Sequence, residues 1–163
     1  KITNGTETVK AVEEAIKGIE NFELTKKRME IKQAKCGAMI INDCYNANYD
    51  SMKAALDYMS KLPNPRKIAV LGDMGELGEY SQEIHEKIGE IVAQDNIDIL
   101  ICVGTEVKNL INKAQENGIE NTYICNSNEE AINLLNKTLQ KDDVVLIKAS
   151  NYMKFTEICE AIC

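Results

Sequence analysis

Several residue types that build common active sites are scarce in this sequence. Its 163 residues include one histidine (His85), two prolines and no tryptophan. With no second histidine, the chain supports neither a histidine metal cluster nor a Ser-His-Asp or Cys-His catalytic set. His85 itself falls within a helical pattern, where a lone histidine is usually a structural residue.

Cysteine occurs six times, but never in the spacing that binds zinc or exchanges disulfides. The sequence has no C-x-x-C pair, which argues against a zinc site and against a thioredoxin-like motif. Cys102 and Cys125 lie inside apolar runs and are expected to be small core residues. Reduced thiols in a cytoplasmic protein are the simplest account of this pattern.

Long hydrophobic runs and an excess of positive charge are missing as well. The longest apolar runs, 99–103 and 144–147, are far shorter than the ~18 residues of a membrane helix, and the N-terminus has no signal-peptide pattern. Acidic residues outnumber basic ones by 26 to 19, for a formal net charge of −7. That balance argues against a nucleic-acid-binding surface, whereas a nucleotide ligand needs only local positive charge.

The hydrophobic pattern predicts one domain, or one domain with a short arm. An amphipathic helix is predicted over 7–20, and strands over 29–34 and 38–43 form a hairpin. Beyond residue 50 the predicted elements alternate: helices over 51–62, 81–94, 106–117, 128–139 and 152–162, and strands over 67–71, 97–103, 121–125 and 143–148. This order predicts an α/β fold, with a Rossmann-like, mostly parallel sheet flanked by helices and an antiparallel N-terminal edge hairpin.

The loops after the predicted strands hold the best candidates for a site, because α/β sheets bind ligands at the carboxyl ends of their strands. Asp43 could accept ribose hydroxyls, and the amides of Asn46 and Asn48 suit a purine edge or a peptide amide. The alternative is that Asn48 only forms a turn and caps the next helix. Lys148 could bind a carboxylate or a phosphate and Ser150 adds a hydroxyl donor, although a lysine at a strand end is often merely solvated.

A glycine-rich turn follows the strand predicted at 67–71. The segment 71–78, LGDMGELG, has three glycines that would let the backbone approach a ligand or turn sharply. It matches neither the phosphate-binding loop G-x-x-x-x-G-K-[ST] nor the dinucleotide fingerprint G-x-G-x-x-G, so a structural turn is the simpler interpretation of it alone. Arg28, where the N-terminal arm meets the hairpin, is the residue type best suited to a γ-phosphate.

Taken in order, the segments 27–30, 43–52 and 72–78 resemble the Mur ligases. The similarity is to family members that read G-R-M-E, then D-x-Y-N-A-N-P-D-S-M, then L-G-D-M-x-E-L-G, with a closing K-G-S-R-x-M, and it covers about residues 7–163. The sequence departs from that pattern at Lys27, at Tyr49 and in the closing segment 148–151, which reads Lys-Ala-Ser-Asn and lacks the arginine. The last departure affects a loop that is expected to bind the incoming substrate.

The resemblance implies an ATP-dependent amide ligase that adds D-Ala-D-Ala to UDP-MurNAc-tripeptide through an acyl phosphate, in cytoplasmic synthesis of peptidoglycan precursors. Residues 29–163 would form the Mur ligase C-terminal α/β domain. Residues 1–28 would be the last helix and linker of a central ATPase domain, which supplies the phosphate loop and most contacts to ATP and Mg²⁺. Since the chain contains no G-K-[ST], it is expected to be inactive by itself, and no metal ligand is expected in it.

The same resemblance assigns roles to the candidate residues. The expected contacts are Arg28, Asp43, Asn46 and Asn48 for ATP, and Asn48, Asp73, Lys148 and Ser150 for the incoming dipeptide. Arg28 would be the catalytic residue, moving toward the γ-phosphate. Closure of the domain would exclude water from the acyl phosphate.

Other interpretations stay open at this point. The chain could be the same domain of another Mur ligase or of a folylpolyglutamate synthase-like ligase, with a different acceptor. It could instead be a non-catalytic Rossmann-like binding module, which the unpartnered helix at 7–20 argues against. A dinucleotide-dependent oxidoreductase is disfavoured, because no G-x-G-x-x-G follows a strand.

Overall fold

The computed structural model describes residues 28–163, and the helix predicted at 7–20 lies outside the described residues. The strands are β1 (Glu30–Gln33), β2 (Met39–Asn42), β3 (Lys67–Gly72), β4 (Ile99–Val103), β5 (Thr122–Cys125) and β6 (Val144–Lys148). The helices are α1 (Tyr49–Ser60), α2 (Ser81–Gln94), α3 (Val107–Glu116), α4 (Asn128–Thr138) and α5 (Thr156–Ile162). Short 3₁₀ turns, Gly78–Tyr80 and Asn151–Met153, lie before α2 and α5.

The strands form one sheet in the order β1-β2-β6-β3-β4-β5. β1 pairs with β2 in the antiparallel sense, and every other neighbouring pair is parallel. The mostly parallel sheet and its antiparallel edge hairpin are therefore confirmed. β6, the last of these strands in the sequence, lies between β2 and β3, so the carboxyl ends of β2, β6 and β3 are neighbours.

Helices cover both faces of the sheet and enclose two apolar clusters. On one face α1, α2 and α3 pack around strand residues such as Leu71 and Leu146. On the other face α4 and α5 pack around residues such as Val70 and Ile147. Because side chains alternate between the two faces of a strand, a sheet covered on both sides needs continuously apolar strands. This explains the apolar runs of β4 and β6, in which every residue is buried.

Predicted and observed elements agree closely except near the C-terminus. The helix predicted over 81–94 is α2, with the same bounds. The single helix predicted over 152–162 is wrong, because the structure has a 3₁₀ turn at Asn151–Met153 and then α5 from Thr156. The break falls at Lys154, whose φ of 54° and ψ of 35° are left-handed. A left-handed residue cannot continue a right-handed helix, and apolar periodicity does not reveal it.

The cysteines are all free thiols. Cys102 and Cys125 are buried in the core, as predicted, while Cys36 and Cys163 are exposed. Within residues 28–163, no helix combines the length and the apolar composition needed to cross a bilayer.

Candidate functional site

Three loops meet at the carboxyl edge of the sheet because β6 lies between β2 and β3. They comprise residues 43–48 after β2, 73–77 after β3 and 149–155 after β6. The second and third loops are joined directly. Ser150 N–H donates to the carbonyl of Asp73 at 3.2 Å, and Gly75 N–H donates to Ser150 Oγ at 2.8 Å.

A cavity of about 800 Å³ opens between these loops. Its lining residues carry amides, a hydroxyl, a carboxylate, an ammonium group and an aromatic ring: Asn46, Ala47, Asn48, Gly75, Glu76, Leu77, Ser150, Asn151, Tyr152 and Lys154. The volume lies in the range of about 300–1,000 Å³ that is typical of small-molecule sites. The structure therefore brings three of the predicted site residues to the lining of one cavity: Asn46, Asn48 and Ser150.

A smaller hollow of about 200 Å³ adjoins this cavity and shares Asn46 and Asn48 with it. The other residues of its lining are Arg28, Asp43, Tyr45, Ser51 and Lys148. The guanidinium carbon of Arg28 lies 4.2 Å from the centre of the Tyr45 ring, a cation–π contact that orients an otherwise exposed side chain. The four residues predicted to bind ATP thus line one hollow.

A buried ion pair joins two of the predicted site residues. Lys148 Nζ donates to Asp43 Oδ2 at 2.5 Å and to the carbonyl of Asn46 at 2.9 Å, and the Lys148 side chain is only 1% exposed. The interpretation of Lys148 as a merely solvated residue is therefore wrong. Because a buried ammonium group is costly unless it is paired and hydrogen-bonded, Lys148 ties the loop after β2 to the end of β6.

Asn48 caps helix α1. Its Oδ1 accepts from the backbone N–H of Ser51 at 2.9 Å, and the N–H of Asn48 donates to Ser51 Oγ at 3.1 Å. This is a reciprocal capping box, so the cap interpretation is confirmed. The side-chain nitrogen of Asn48 makes no hydrogen bond within residues 28–163, and it remains free to donate at the cavity wall.

Asp73 anchors helix α3 from the loop after β3. Its carboxylate accepts from the backbone N–H groups of Thr105, Glu106 and Val107, each at 3.0 Å. Those N–H groups belong to the start of α3, where the helix offers no acceptor of its own and where negative charge is favoured. The Asp73 side chain, predicted to contact the incoming substrate, thus faces the protein interior in this structure and is buried.

His85 holds the loop after β3 from helix α2. Met74 N–H donates to His85 Nε2 at 3.1 Å, and His85 Nδ1 lies 2.8 Å from the carbonyl oxygen of Ser81. An amide N–H only donates and a carbonyl only accepts, so these contacts assign a neutral ring with its proton on Nδ1. His85 is fully buried, which confirms its structural role.

The structure adds cavity residues that the sequence interpretation did not select, among them Glu76, Tyr152 and Lys154. The Tyr152 ring packs against Gly75, where an added Cβ would meet the ring at 3.2 Å. Although Tyr152 is exposed, loss of some hydration, and then the carboxylates of Asp73 and Glu106, raise the pKa of its phenol, so it stays protonated at neutral pH. The sequence signal that could have identified Glu76, Tyr152 and Lys154 is their position in the loops that follow β3 and β6.

Comparison with known proteins identifies the family. Residues 27–151 match the family model described as Mur ligase, glutamate ligase domain. The chain belongs to the Mur ligase family. The UDP-N-acetylmuramoyl-tripeptide–D-alanyl-D-alanine ligase of Bacillus subtilis (strain 168) is 33% identical over 151 residues, which cover 91% of this chain and 33% of that protein. The Synechocystis sp. protein of the same name is 33% identical over 129 residues, or 79% of this chain and 28% of that protein.

Solved Mur ligase structures have the same fold. A MurF ligase from Thermotoga maritima in complex with ADP has a TM-score of 0.74 and 26% identity, over 87% of this chain and 31% of that one. MurF from Acinetobacter baumannii has a TM-score of 0.77 and 27% identity, over 93% of this chain and 33% of that one. This chain spans about a third of the length of these Mur ligases. The expected fold of a Mur ligase C-terminal domain is confirmed.

The predicted site lies within the part of the chain that matches the Mur ligase model. All of its residues fall between Arg28 and Ser150, inside the matched range of 27–151. Tyr152 and Lys154 lie just beyond the end of that range. The cavity lining therefore includes residues that match the family model and residues that follow the matched segment.

Proposed function

We propose that this chain is part of an ATP-dependent amide ligase that adds D-Ala-D-Ala to UDP-MurNAc-tripeptide in the synthesis of peptidoglycan precursors. The observation that carries the proposal is the cavity at the carboxyl edge of the sheet, which three motif-bearing loops enclose. Relatives from Bacillus subtilis and Synechocystis carry the name of that ligase. The same loops would bring the acceptor next to the nucleotide.

The hollow beside Arg28 fits a nucleotide. Arg28 stacks on Tyr45 but makes no ion pair within residues 28–163. Its guanidinium fork matches phosphate oxygens. Asp43 uses one acceptor position for Lys148 and one for the N–H of Met29. A carboxylate offers about four such positions, so two remain for ribose hydroxyls. ADP is bound in the related Thermotoga maritima structure.

ATP would supply the phosphoryl group that activates the substrate carboxylate. Arg28 would neutralise phosphate charge, which is the main demand of phosphoryl transfer on the protein. The Ser150 hydroxyl accepts from Gly75 and keeps its own hydrogen for the acceptor. Lys148 would act through Asp43 and Asn46 by holding them in place. No metal-binding group of three His, Cys, Asp or Glu side chains occurs within residues 28–163, and we assign no Mg²⁺ ligand there.

We also propose the domain division, with residues 29–163 as the C-terminal domain and residues 1–28 as the last helix and linker of a central ATPase domain. The chain's span of about a third of its relatives supports this division. The 163-residue chain should then release no phosphate from ATP when assayed by itself.

The test is phosphate release by the gene product that carries this chain. With ATP, Mg²⁺ and UDP-MurNAc-tripeptide, release should require D-Ala-D-Ala. Arg28→Lys should slow it about tenfold or more, because an ammonium group lacks the guanidinium fork. Lys137→Gln, which removes an exposed charge from α4, is the matched control and should leave the rate unchanged.

Two results would contradict the proposal. Phosphate release that ignores D-Ala-D-Ala but requires another amino acid would move the chain to a ligase with a different acceptor. Ligand binding without phosphate release, under every substrate combination, would favour a non-catalytic binding module.

A further inference from the structure

The charge in the large cavity is confined to two residues on different loops. Of the ten residues in its lining, only Glu76, after β3, and Lys154, after β6, are charged at neutral pH. Neither side chain forms an ion pair, with the other or with any residue in 28–163. The cavity therefore has one unpaired negative group and one unpaired positive group.

The other charged residues of these loops are already occupied. Asp73 accepts from the backbone at the start of α3, and Lys148 is neutralised by Asp43. Neither lines the large cavity. A charged ligand in that cavity would consequently meet Glu76 and Lys154.

Both residues also hold an unusual backbone conformation. Glu76 has a φ of 61° and Lys154 a φ of 54°, in the left-handed region that is unfavourable for any residue but glycine. A left-handed residue other than glycine persists only where the surrounding structure enforces it, and Met29, Asn96 and Asp142 also adopt this conformation outside the cavity lining. At Glu76 and Lys154 this backbone conformation sets where each charged side chain begins on the cavity wall.

We infer that Glu76 and Lys154 recognise the two charged ends of a zwitterionic acceptor: the Glu76 carboxylate pairs with its ammonium group and the Lys154 ammonium with its carboxylate. The inference rests on the proposed function, since D-Ala-D-Ala is such a zwitterion. A nucleotide is repelled by Glu76 and finds unpaired positive charge at Arg28, in the smaller hollow. A neutral ligand leaves both cavity charges unpaired.

The test is an NMR titration of the ¹⁵N-labelled chain with three forms of the dipeptide. These are D-Ala-D-Ala, N-acetyl-D-Ala-D-Ala, which lacks the ammonium charge, and D-Ala-D-Ala amide, which lacks the carboxylate. The variants are Glu76→Gln and Lys154→Gln, which keep side-chain length and remove charge. Glu120→Gln and Lys137→Gln, at exposed positions outside the cavity lining, are the controls.

The expected result is a crossed pattern. Glu76→Gln should weaken binding of D-Ala-D-Ala and of its amide roughly three- to fivefold, the range of a partly exposed ion pair, and leave the N-acetyl form unchanged. Lys154→Gln should weaken D-Ala-D-Ala and the N-acetyl form by a similar factor and leave the amide unchanged. Both controls should bind all three forms as the parent chain does.

Failure of this inference can be told from failure of the proposed function by adding Gly-Gly and L-Ala-L-Ala. A crossed pattern with either of these, stronger than with D-Ala-D-Ala, would keep the zwitterion site and overturn the assigned acceptor. Equal weakening of all forms by each variant, or no binding of any zwitterion by the parent chain, would overturn the roles of Glu76 and Lys154. Phosphate release that depends on D-Ala-D-Ala would in that case still support the ligase.

Discussion

At the carboxylate of Asp73, three backbone N–H groups from the start of α3 converge. The residue type and its place after a strand are what a ligand-binding carboxylate would have, so the sequence could not distinguish the two roles. The deciding contact is with residues 105–107, which follow another strand. Local sequence indicates where a polar group lies along the chain, but not which distant donor reaches it.

The anchoring role of Asp73 predicts a stability effect. Asp73→Ala leaves three buried or half-buried N–H groups without acceptors, so the free energy of unfolding should fall by about 2–4 kcal/mol. Asp73→Asn, which retains one acceptor oxygen, should lose less. Urea unfolding followed by circular dichroism measures both, and the exposed-site variant Glu120→Gln should match the parent chain. An Asp73→Ala chain as stable as the parent would contradict the anchoring role.

The sequence left three roles open for Lys148: binding a carboxylate ligand, binding a phosphate, or facing solvent. In the structure it instead forms an ion pair within the protein. Its ammonium group is neither solvated nor free for a carboxylate or a phosphate, because Asp43 pairs with it. Asp43 and Lys148 are 105 positions apart. Only the parallel pairing of β2 with β6 brings them together, and that pairing cannot be deduced from either strand alone.

At the scale of elements, apolar periodicity and capping residues predicted most of the helices. The helix predicted over 51–62 is α1, which buries a face formed by Met52, Ala55, Leu56 and Met59, and Asn48 supplies its cap. The break before α5 escaped prediction because Lys154 has no left-handed preference of its own. Its conformation comes from the tertiary structure, which overrides local propensity here.

The contact between α2 and α3 predicts an unusual effect of a glycine substitution. A Cβ at Gly89 would collide with the carbonyl oxygen of Leu110 and lie 2.9 Å from Lys113 Cβ. Alanine normally stabilises a helix relative to glycine by about 1 kcal/mol. Gly89→Ala should instead lower the free energy of unfolding by about 2 kcal/mol, because the two helices must separate.

Thermal and urea unfolding measure this change. Asn112→Ala, at an exposed position of α3, is the control and should be close to neutral. A gain in stability for Gly89→Ala would mean that α2 and α3 can move apart without loss of packing.

At the scale of the whole molecule, the alternation of strands and helices predicted the class of sheet but not its strand order. Parallel pairing followed from the connecting helices, and the hairpin from the two short strands predicted at 29–34 and 38–43. Nothing in the segment 144–148 indicates that it inserts between β2 and β3 and not at an edge. The strand pattern predicted that the site loops lie at the carboxyl edge of the sheet, and the resemblance predicted that they share ligands. That insertion adds which loops are neighbours: those after β2, β6 and β3.

The buried core predicts how the six thiols react with a disulfide reagent such as DTNB. Cys36 and Cys163 are exposed, whereas Cys44, Cys102, Cys125 and Cys159 are buried. The hydrogen bond with Cys159, then burial, raise the pKa of Cys44, and burial raises that of Cys102. Because the thiolate is the nucleophile, two thiols should react quickly and four only as the chain unfolds.

The two fast thiols should also differ from each other. Partial burial raises the pKa of Cys163, so Cys36 should react first, and Cys36→Ser should remove the faster phase. The absorbance trace of the released reagent measures both phases. Three or more fast thiols in the folded chain would contradict the closed core.

The central place of β6 has a consequence for synthesis of the protein on the ribosome. Until residues 144–148 leave the exit tunnel, the β1–β2 hairpin and the β3–β4–β5 group have no strand between them. Each then presents an apolar strand edge with unpaired backbone groups, the kind of surface that recruits other chains. The nascent chain therefore passes through a long interval of exposed edges, which ends only when its last strand joins the two groups.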